Sequence, residues 1–434
     1  MSSTTESIIG RANRDGAALF RSWFDAMTSA PERGEQTAYV FVMGSFAELL
    51  STFGLHTSFP EINSLQVAIR GEAAGYLEEA EDYGYSPDIC GYVKADVAMQ
   101  LRGGSHPMGT IPPPSIAVFT NACATYVKWA EIWERLYGIP CVTIDLPGPR
   151  TESYTGTGIS SEDRENELRY VVGQIHELIR TLEEVTGNPF DIDRLRQALG
   201  HANAQAEAWR RVHEINQNVP AVYNAVTDGT VYLGVANAFR GTPEGARYFA
   251  DLVEELDYCV QHGRAALDDE RYRLAFVGVP CYPLFRGFNE MFTSHGGIFV
   301  TSSYTSFASG GADVGFTYDL DHPVESLAEG MLVTTQAGMH RMFHVDRWLA
   351  DRASDFSLDG IIYHPIKSCR TVSTGLADAR RSAGELTGVP SLFLESDMMD
   401  DRVVSEAQMR NRVEAFFEGL SSRGAVSINT GGRS

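Results

Sequence analysis

Lysine is nearly missing from this chain: three lysines stand against 32 arginines in 434 residues, and acidic side chains outnumber basic ones by 22. That balance argues against nucleic acid as a partner, because holding a phosphate backbone needs clustered Lys and Arg to displace counterions. A phosphate-cradling P-loop needs Gly-Lys-Ser/Thr, and the lysines follow Val93, Val127 and Ile366, so none qualifies. No Gly-x-Gly-x-x-Gly follows a strand-like run, Gly156-Thr157-Gly158 standing alone, and neither a Gly-x-Ser-x-Gly elbow nor a His-Glu-x-x-His helix occurs. There is no run of about 18 apolar residues and no basic start followed by an apolar core, so neither a membrane span nor a signal peptide is expected. A cytoplasmic location follows. In that reducing compartment six cysteines, none spaced Cys-x-x-Cys, do not read as a disulfide framework.

What the chain does have is an internal echo. YVFVM (39–43) precedes Gly44, a helix-like segment to Gly54 and an extended piece to Pro60; LAFV (274–277) precedes Gly278, a segment around 288–292 and the run GGIFVT (296–301). Further on, IAVFT (116–120) leads to Cys123, a helical stretch to Tyr137 and GIPCVTID (138–145), while GIIY (360–363) leads to Cys369, a helical stretch to Leu386 and GVPSLFLE (388–395). Apolar runs without alternation suit parallel strands covered on both faces, and glycine just past a helix supplies a left-handed cap. The fold class expected is therefore α/β, two similar parallel-sheet halves of Rossmann or flavodoxin-like type with a helical segment between them. The expected organisation is an N-terminal helical segment (1–36), a first α/β domain (37–150), a helical connecting region (151–270) and a second α/β domain (271–434). Helical spacing of Leu168, Val171, Val172, Ile175, Leu178, Ile179, Leu182 and Val185 marks the connecting region. The loop RGGSHPMGTIPPP (102–114) reads as a turn-rich surface connection with His106 in solvent.

Three of the six cysteines stand out. Cys123 and Cys369 each follow a strand and begin a helix, where ligands gather in open α/β sheets, and Cys90 opens a helical run through Met99. Free backbone N–H groups at a helix start favour a thiolate. All three lysines fall within five residues of these cysteines, at Lys94, Lys128 and Lys367, an arrangement that suits cations tuning the charge of a metal or cluster site. The alternative is three buried core cysteines with unrelated lysines. Zinc, with His364 as a fourth ligand, is a further possibility, although separations of 33 and 246 residues are unlike the close ligand pairs of structural zinc sites. Cys141 and Cys259 are expected in the core, and Cys281, which also follows a strand, is a weaker candidate for lining the site.

The segments SPDICGYVKADVAM (86–99), TNACATYVKWAEIW (120–133), FDIDRLRQAL (190–199), AFRGTPEGARYF (238–249), ERYRLAFVGVP (270–280), IKSC (366–369) and LESDMMDDR (394–402) together resemble the cluster-bearing subunits of the 2-hydroxyacyl-CoA dehydratase and benzoyl-CoA reductase superfamily. The likeness is nearest to the B-type subunits of ATP-dependent benzoyl-CoA reductases. It implies an iron–sulfur cluster, 4Fe-4S or a larger derivative, on Cys90, Cys123 and Cys369. It also implies a homologous C-type cluster subunit as partner, an iron–sulfur ATPase that injects single electrons, ferredoxin as upstream donor and an acyl-CoA substrate. In the dehydratase branch a serine and a glutamate near the N-terminal strand contribute to the site of one subunit type, and the positions that most resemble them are Ser45 and Glu61. Three functions are open at this level: reduction of an aromatic acyl-CoA, radical dehydration of a 2-hydroxyacyl-CoA, and electron transfer of the double-cubane type.

Overall fold

Residues 10–148, 160–306 and 315–430 are described by the computed structural model, so Gly156-Thr157-Gly158 lies outside the described residues. Val, Ile and Phe in unbroken runs can only be satisfied as strands if both faces are covered, and every residue of IAVFT and of GIIYH is buried. The first half contains β1 (Thr37–Val40), β2 (His56–Ser58), a hairpin of β3 (Ser105–His106) and β4 (Gly109–Thr110), then β5 (Ile116–Thr120) and β6 (Cys141–Ile144). The second half contains β7 (Tyr272–Gly278), β8 (Gly297–Ser302), β9 (Gly360–His364) and β10 (Ser391–Phe393). One sheet runs β2-β1-β5-β6 and the other β10-β9-β7-β8, with every pairing within them parallel. Counted within its own half, each sheet has the order 2-1-3-4. The repeat read from the sequence is thus one topology used twice, and in each copy the winding reverses between the first and third strands, where an open α/β sheet leaves a crevice.

Between the halves lie the helices Ser161–Thr186, Ile192–Ile215, Thr227–Ala238 and Pro243–Gln261. Val171, Ile175, Leu178, Ile179 and Leu182 form the buried stripe of the first of these, as their spacing predicts. The helix Arg11–Thr28 closes against Thr227–Ala238, and Glu255 accepts from the Gly10 and Ala12 amides at its free N-terminal end. The first-half core continues without a break into Val279, Tyr282, Ile366, Met398 and Met399 of the second half. No described helix is long and apolar enough to cross a membrane.

Two sequence expectations fail here. His106 is not in solvent: the hairpin folds inward, its ring lies 5.1 Å from Phe24, Nε2 donates to the Asn63 carbonyl and Nδ1 accepts from the Met108 amide. Burial pushes its pKa down to about 4, so the ring is neutral. The helical stretch after Cys369 is broken into Arg370–Ser373 and Leu376–Thr387, because Gly375, at φ 87°, turns the chain through the left-handed region between them.

Candidate functional site

The loops leaving β1, β5, β7 and β9 converge. Val42, Cys123, Val279 and Cys369, one from each loop, wall a single cavity of about 960 Å³, which Cys90 also lines. That places the cavity at the winding reversal of both sheets at once. The geometry follows from the repeat: two copies of one crevice face each other, and each copy contributes a cysteine.

All three cysteines occupy the position just before a helix, ahead of Gly91–Leu101, Ala124–Tyr137 and Arg370–Ser373. The Tyr92 and Val93 amides point at Cys90, and those of Thr371 and Val372 at Cys369. These bonds lower the thiol pKa, but burial outweighs them: Cys369 is pushed up to about 11, and Cys90 is raised still further by burial and by Cys369. The helix starts thus favour the thiolate at Cys90 and Cys369 but do not overcome burial on their own. Cys90 and Cys369, held out of water and pushed up further by the neighbouring thiols, ionise readily only if a cation joins them.

The two halves meet tightly at this point. Cys123 Sγ lies 3.7 Å from Thr371 Oγ1, and a Cβ on Gly91 would come within 2.6 Å of Met399 Cβ, so only glycine lets the Cys90 helix approach the second half this closely. Below the cysteines, Asp96 Oδ2 accepts from both Trp129 Nε1 (2.7 Å) and Trp133 Nε1 (2.8 Å), tying the helix that starts at Cys90 to the one that starts at Cys123.

No set of three His, Cys, Asp or Glu side chains among the described residues is arranged to hold a metal ion. A cluster whose thiolates each bind a different iron tolerates wider sulfur spacing than one tetrahedral ion does. His364 is removed from any ligand set: Nδ1 donates to the Val279 carbonyl (2.6 Å), Nε2 accepts from Ser396 Oγ (2.5 Å), and burial lowers its pKa to about 4. By contrast Ser368 Oγ is buried with no hydrogen-bond partner among the described residues, between Gly91 and Cys369, a spare donor of the kind that cluster sulfurs accept.

Glu61, from the first turn of Pro60–Ile69, also faces the cavity. Oε2 accepts from the Val42 amide (2.6 Å) and Oε1 from Tyr126 OH (2.5 Å), while burial lifts its pKa to about 7. Opposite, Tyr282 OH donates to Tyr304 OH at 2.7 Å, which leaves the Tyr304 proton free for the cavity that Tyr304 lines; Tyr92 OH is buried beside the pair without a well-formed hydrogen bond. Sequence reasoning missed these tyrosines. Tyr126 and Tyr92 lie two or three residues after a singled-out cysteine, and that proximity was the available signal.

The other candidates lie elsewhere. Ser45 is buried, accepts only a long bond from the Ala47 amide (3.4 Å) and does not reach the cavity wall. Cys281 is buried in the second-half core with Phe288 and Met291, Cys259 is buried on its helix, and Cys141 is half-buried on β6. None of the three lysines lines the cavity. Lys94, 1% exposed, donates to Glu81 (2.8 Å) and the Pro87 carbonyl; Lys128, 77% exposed, pairs with Glu131; Lys367, 51% exposed, faces Glu395 at 3.8 Å. Their charges are spent on carboxylates, which counts against their expected tuning role.

The family described as 2-hydroxyglutaryl-CoA dehydratase, D-component, matches residues 45–420. The B-type subunit of the Thauera aromatica benzoyl-CoA reductase is 32% identical over 94% of each chain. The (R)-phenyllactyl-CoA dehydratase alpha subunit of Clostridium sporogenes is 26% identical over 90% of each, and the (R)-2-hydroxyglutaryl-CoA dehydratase alpha subunit of Acidaminococcus fermentans 25% identical over 91% of this chain and 94% of its own. The repeated sheet, the cavity at its two crevices and these likenesses agree: the chain is an enzyme subunit and belongs to the 2-hydroxyglutaryl-CoA dehydratase D-component family, which embraces benzoyl-CoA reductase and 2-hydroxyacyl-CoA dehydratase subunits.

Proposed function

We propose that this chain is the cluster-bearing subunit of an acyl-CoA reductase complex that reduces the ring of benzoyl-CoA or a related aromatic acyl-CoA one electron at a time. The observation that carries the proposal is the gathering of Cys90, Cys123 and Cys369 with Glu61 on one cavity at the seam of the halves. The three thiolates would hold an iron–sulfur cluster, 4Fe-4S or larger, leaving one position for a non-protein ligand. Bound there, the cluster would supply single electrons at low potential.

The protein's own groups handle protons and water. Glu61, at about 7, both holds and releases a proton near neutral pH. Tyr304 has its oxygen occupied by the Tyr282 proton and its own proton to offer, which suits a hydrogen bond to a thioester carbonyl as negative charge builds on it. Phe20, Ile62, Leu65 and Trp129 line the cavity and keep the site apolar. With no nucleotide loop in the sequence, energy would come from partners: a C-type subunit, an iron–sulfur ATPase and ferredoxin upstream, in the cytoplasm. The relative at 32% identity supports reduction over dehydration. A second reading, dehydration of a 2-hydroxyacyl-CoA, is favoured by Glu61 alone, since a carboxylate at about 7 is suited to taking a carbon-bound proton.

Anaerobic iron and sulfide analysis of the full chain tests the ligand set. Cys90→Ser, Cys123→Ser and Cys369→Ser should each lose the cluster, and Cys141→Ala, Cys259→Ala and Cys281→Ala should keep it. Full iron in Cys369→Ser would refute the two-half site. Turnover of benzoyl-CoA against 2-hydroxyacyl-CoA by the assembled complex separates the two reactions.

A further inference from the structure

The cavity is graded from floor to rim. On the helix Pro60–Ile69 and its cap, the residues lining it are Glu61, Ile62, Leu65, Gln66, Ile69 and Arg70, a single helical stripe that begins with a carboxylate, continues apolar and ends in a guanidinium. Glu61 is 8% exposed and Ile69 38%, so the stripe climbs from buried floor to open mouth. Nine residues at about 1.5 Å each put roughly 13 Å between its ends. Two other elements bring a guanidinium to the same cavity: Arg21 on the helix Arg11–Thr28 and Arg286 in the first turn of Phe285–Thr293.

These three arginines are exposed and none has a carboxylate partner among the described residues; Arg70 bonds only to Gln66. Many arginines elsewhere are paired, as Arg33 is with Glu35, Arg210 with Glu207 and Glu214, and Arg402 with Glu81 and Asp400. Of the carboxylates on the upper wall, Asp228 is taken by Asn13 and the Asn224 amide, leaving Asp25 against three cations. In a chain with a net charge of −22, an anionic ligand is repelled almost everywhere and needs such a local patch.

We infer that Arg21, Arg70 and Arg286 form an anion-binding rim that takes the phosphate groups of the CoA moiety, while the apolar stretch below them receives the pantetheine arm and delivers the thioester to Glu61 and the cysteines. The inference rests on the proposed acyl-CoA reading and adds the residues that select for CoA. Guanidinium groups suit it because they grip phosphate through paired N–H donors.

Two thioesters tested on the assembled complex decide it: benzoyl-CoA, and S-benzoyl-N-acetylcysteamine, which has the reactive end without phosphates. Arg21→Ala, Arg70→Ala and Arg286→Ala should each raise KM for benzoyl-CoA about tenfold at low salt, less at high salt, with kcat unchanged. KM for the truncated thioester should not move. Arg70→Lys should recover part of the loss, and Arg169→Ala, an exposed arginine off the cavity bonded to Asn166, should change neither KM. An unchanged KM for benzoyl-CoA in all three variants, or an equal rise for both thioesters, would overturn the rim while leaving the acyl-CoA reading intact. Failure of the unmodified complex to use benzoyl-CoA, a related aromatic acyl-CoA or a 2-hydroxyacyl-CoA would sink that reading and the rim together.

Discussion

Replacing Tyr126 with Phe should change the proton occupancy of Glu61 while leaving the site's shape intact. The Tyr126 ring stacks on Phe41 with centroids 3.8 Å apart and planes within 5°, a packing that phenylalanine retains. What it removes is the hydroxyl hydrogen bond to Glu61 Oε1, one of two that oppose the upward push of burial on this carboxyl. A hydrogen bond to a charged acceptor is worth about 1.5–3 kcal/mol, and one pKa unit is about 1.4 kcal/mol. The Glu61 pKa should therefore rise by roughly one to two units from its value of about 7, turning a half-ionised group at pH 7 into an almost fully protonated one. Infrared difference titration of the protonated-carboxyl C=O band, assigned by its loss in Glu61→Gln, measures this directly. Stability carries the same signature. The folded-state value lies above the ordinary 4.5, so the native state holds a proton that the unfolded chain has lost, and stability falls as pH climbs from about 4.5 through 7, by about 3 kcal/mol in all. In Tyr126→Phe the decline should extend to higher pH, and in Glu61→Gln it should vanish. A midpoint that stays put or falls in Tyr126→Phe would refute the assignment, as would a wild-type band already lost by pH 5.

Lys94→Ala should destabilise the fold by about 2–4 kcal/mol in denaturant unfolding, because it strips a buried partner from Glu81, though Arg402 remains on that carboxylate. Lys128→Ala and Lys367→Ala, both exposed and paired, should leave the cluster's reduction potential unchanged in redox titrations followed by electron paramagnetic resonance; shifts approaching about 59 mV would restore a tuning role for them. Asp96→Ala leaves the Trp129, Trp133 and Gln100 donors unsatisfied and should cost about 3–5 kcal/mol. Since Asp96 joins two cysteine-bearing helices, iron content should fall with it, although Asp96 is not among the residues that line the cavity.

The fold was legible where local chemistry repeats. Apolar runs followed by Cys123 and Cys369 marked two copies of one unit, and the common strand order 2-1-3-4 is what such copies produce, although no local pattern states the order itself. Cys123 and Cys369 could be placed at the crevice because a residue between a strand and a helix has a defined place in this architecture, whereas Cys90 lies between two helices. Partners brought together by tertiary packing could not. Prolines around His106 suggested surface, yet the ring is covered by Phe24, which is 82 residues away in sequence. The same limit applies to the lysines. Lys94 lies one turn from Cys90, but its long stem reaches back to Glu81 and the Pro87 carbonyl. Nothing near Tyr304 in the sequence announces that its oxygen is occupied by Tyr282.

The splitting of the three cysteines across the seam sets an order of events in the life of the chain. Cys90 and Cys123 leave the ribosome 246 residues before Cys369 follows Cys123. At about 5–20 residues per second that is roughly ten to fifty seconds during which Cys90 and Cys123 are without Cys369. If the three cysteines hold a cluster as proposed, inorganic iron and sulfide met in that interval would find an incomplete ligand set. On that reading loading would follow the closure of Gly91 against Met399, with the cavity that Cys90, Cys123 and Cys369 line as the route to the thiols.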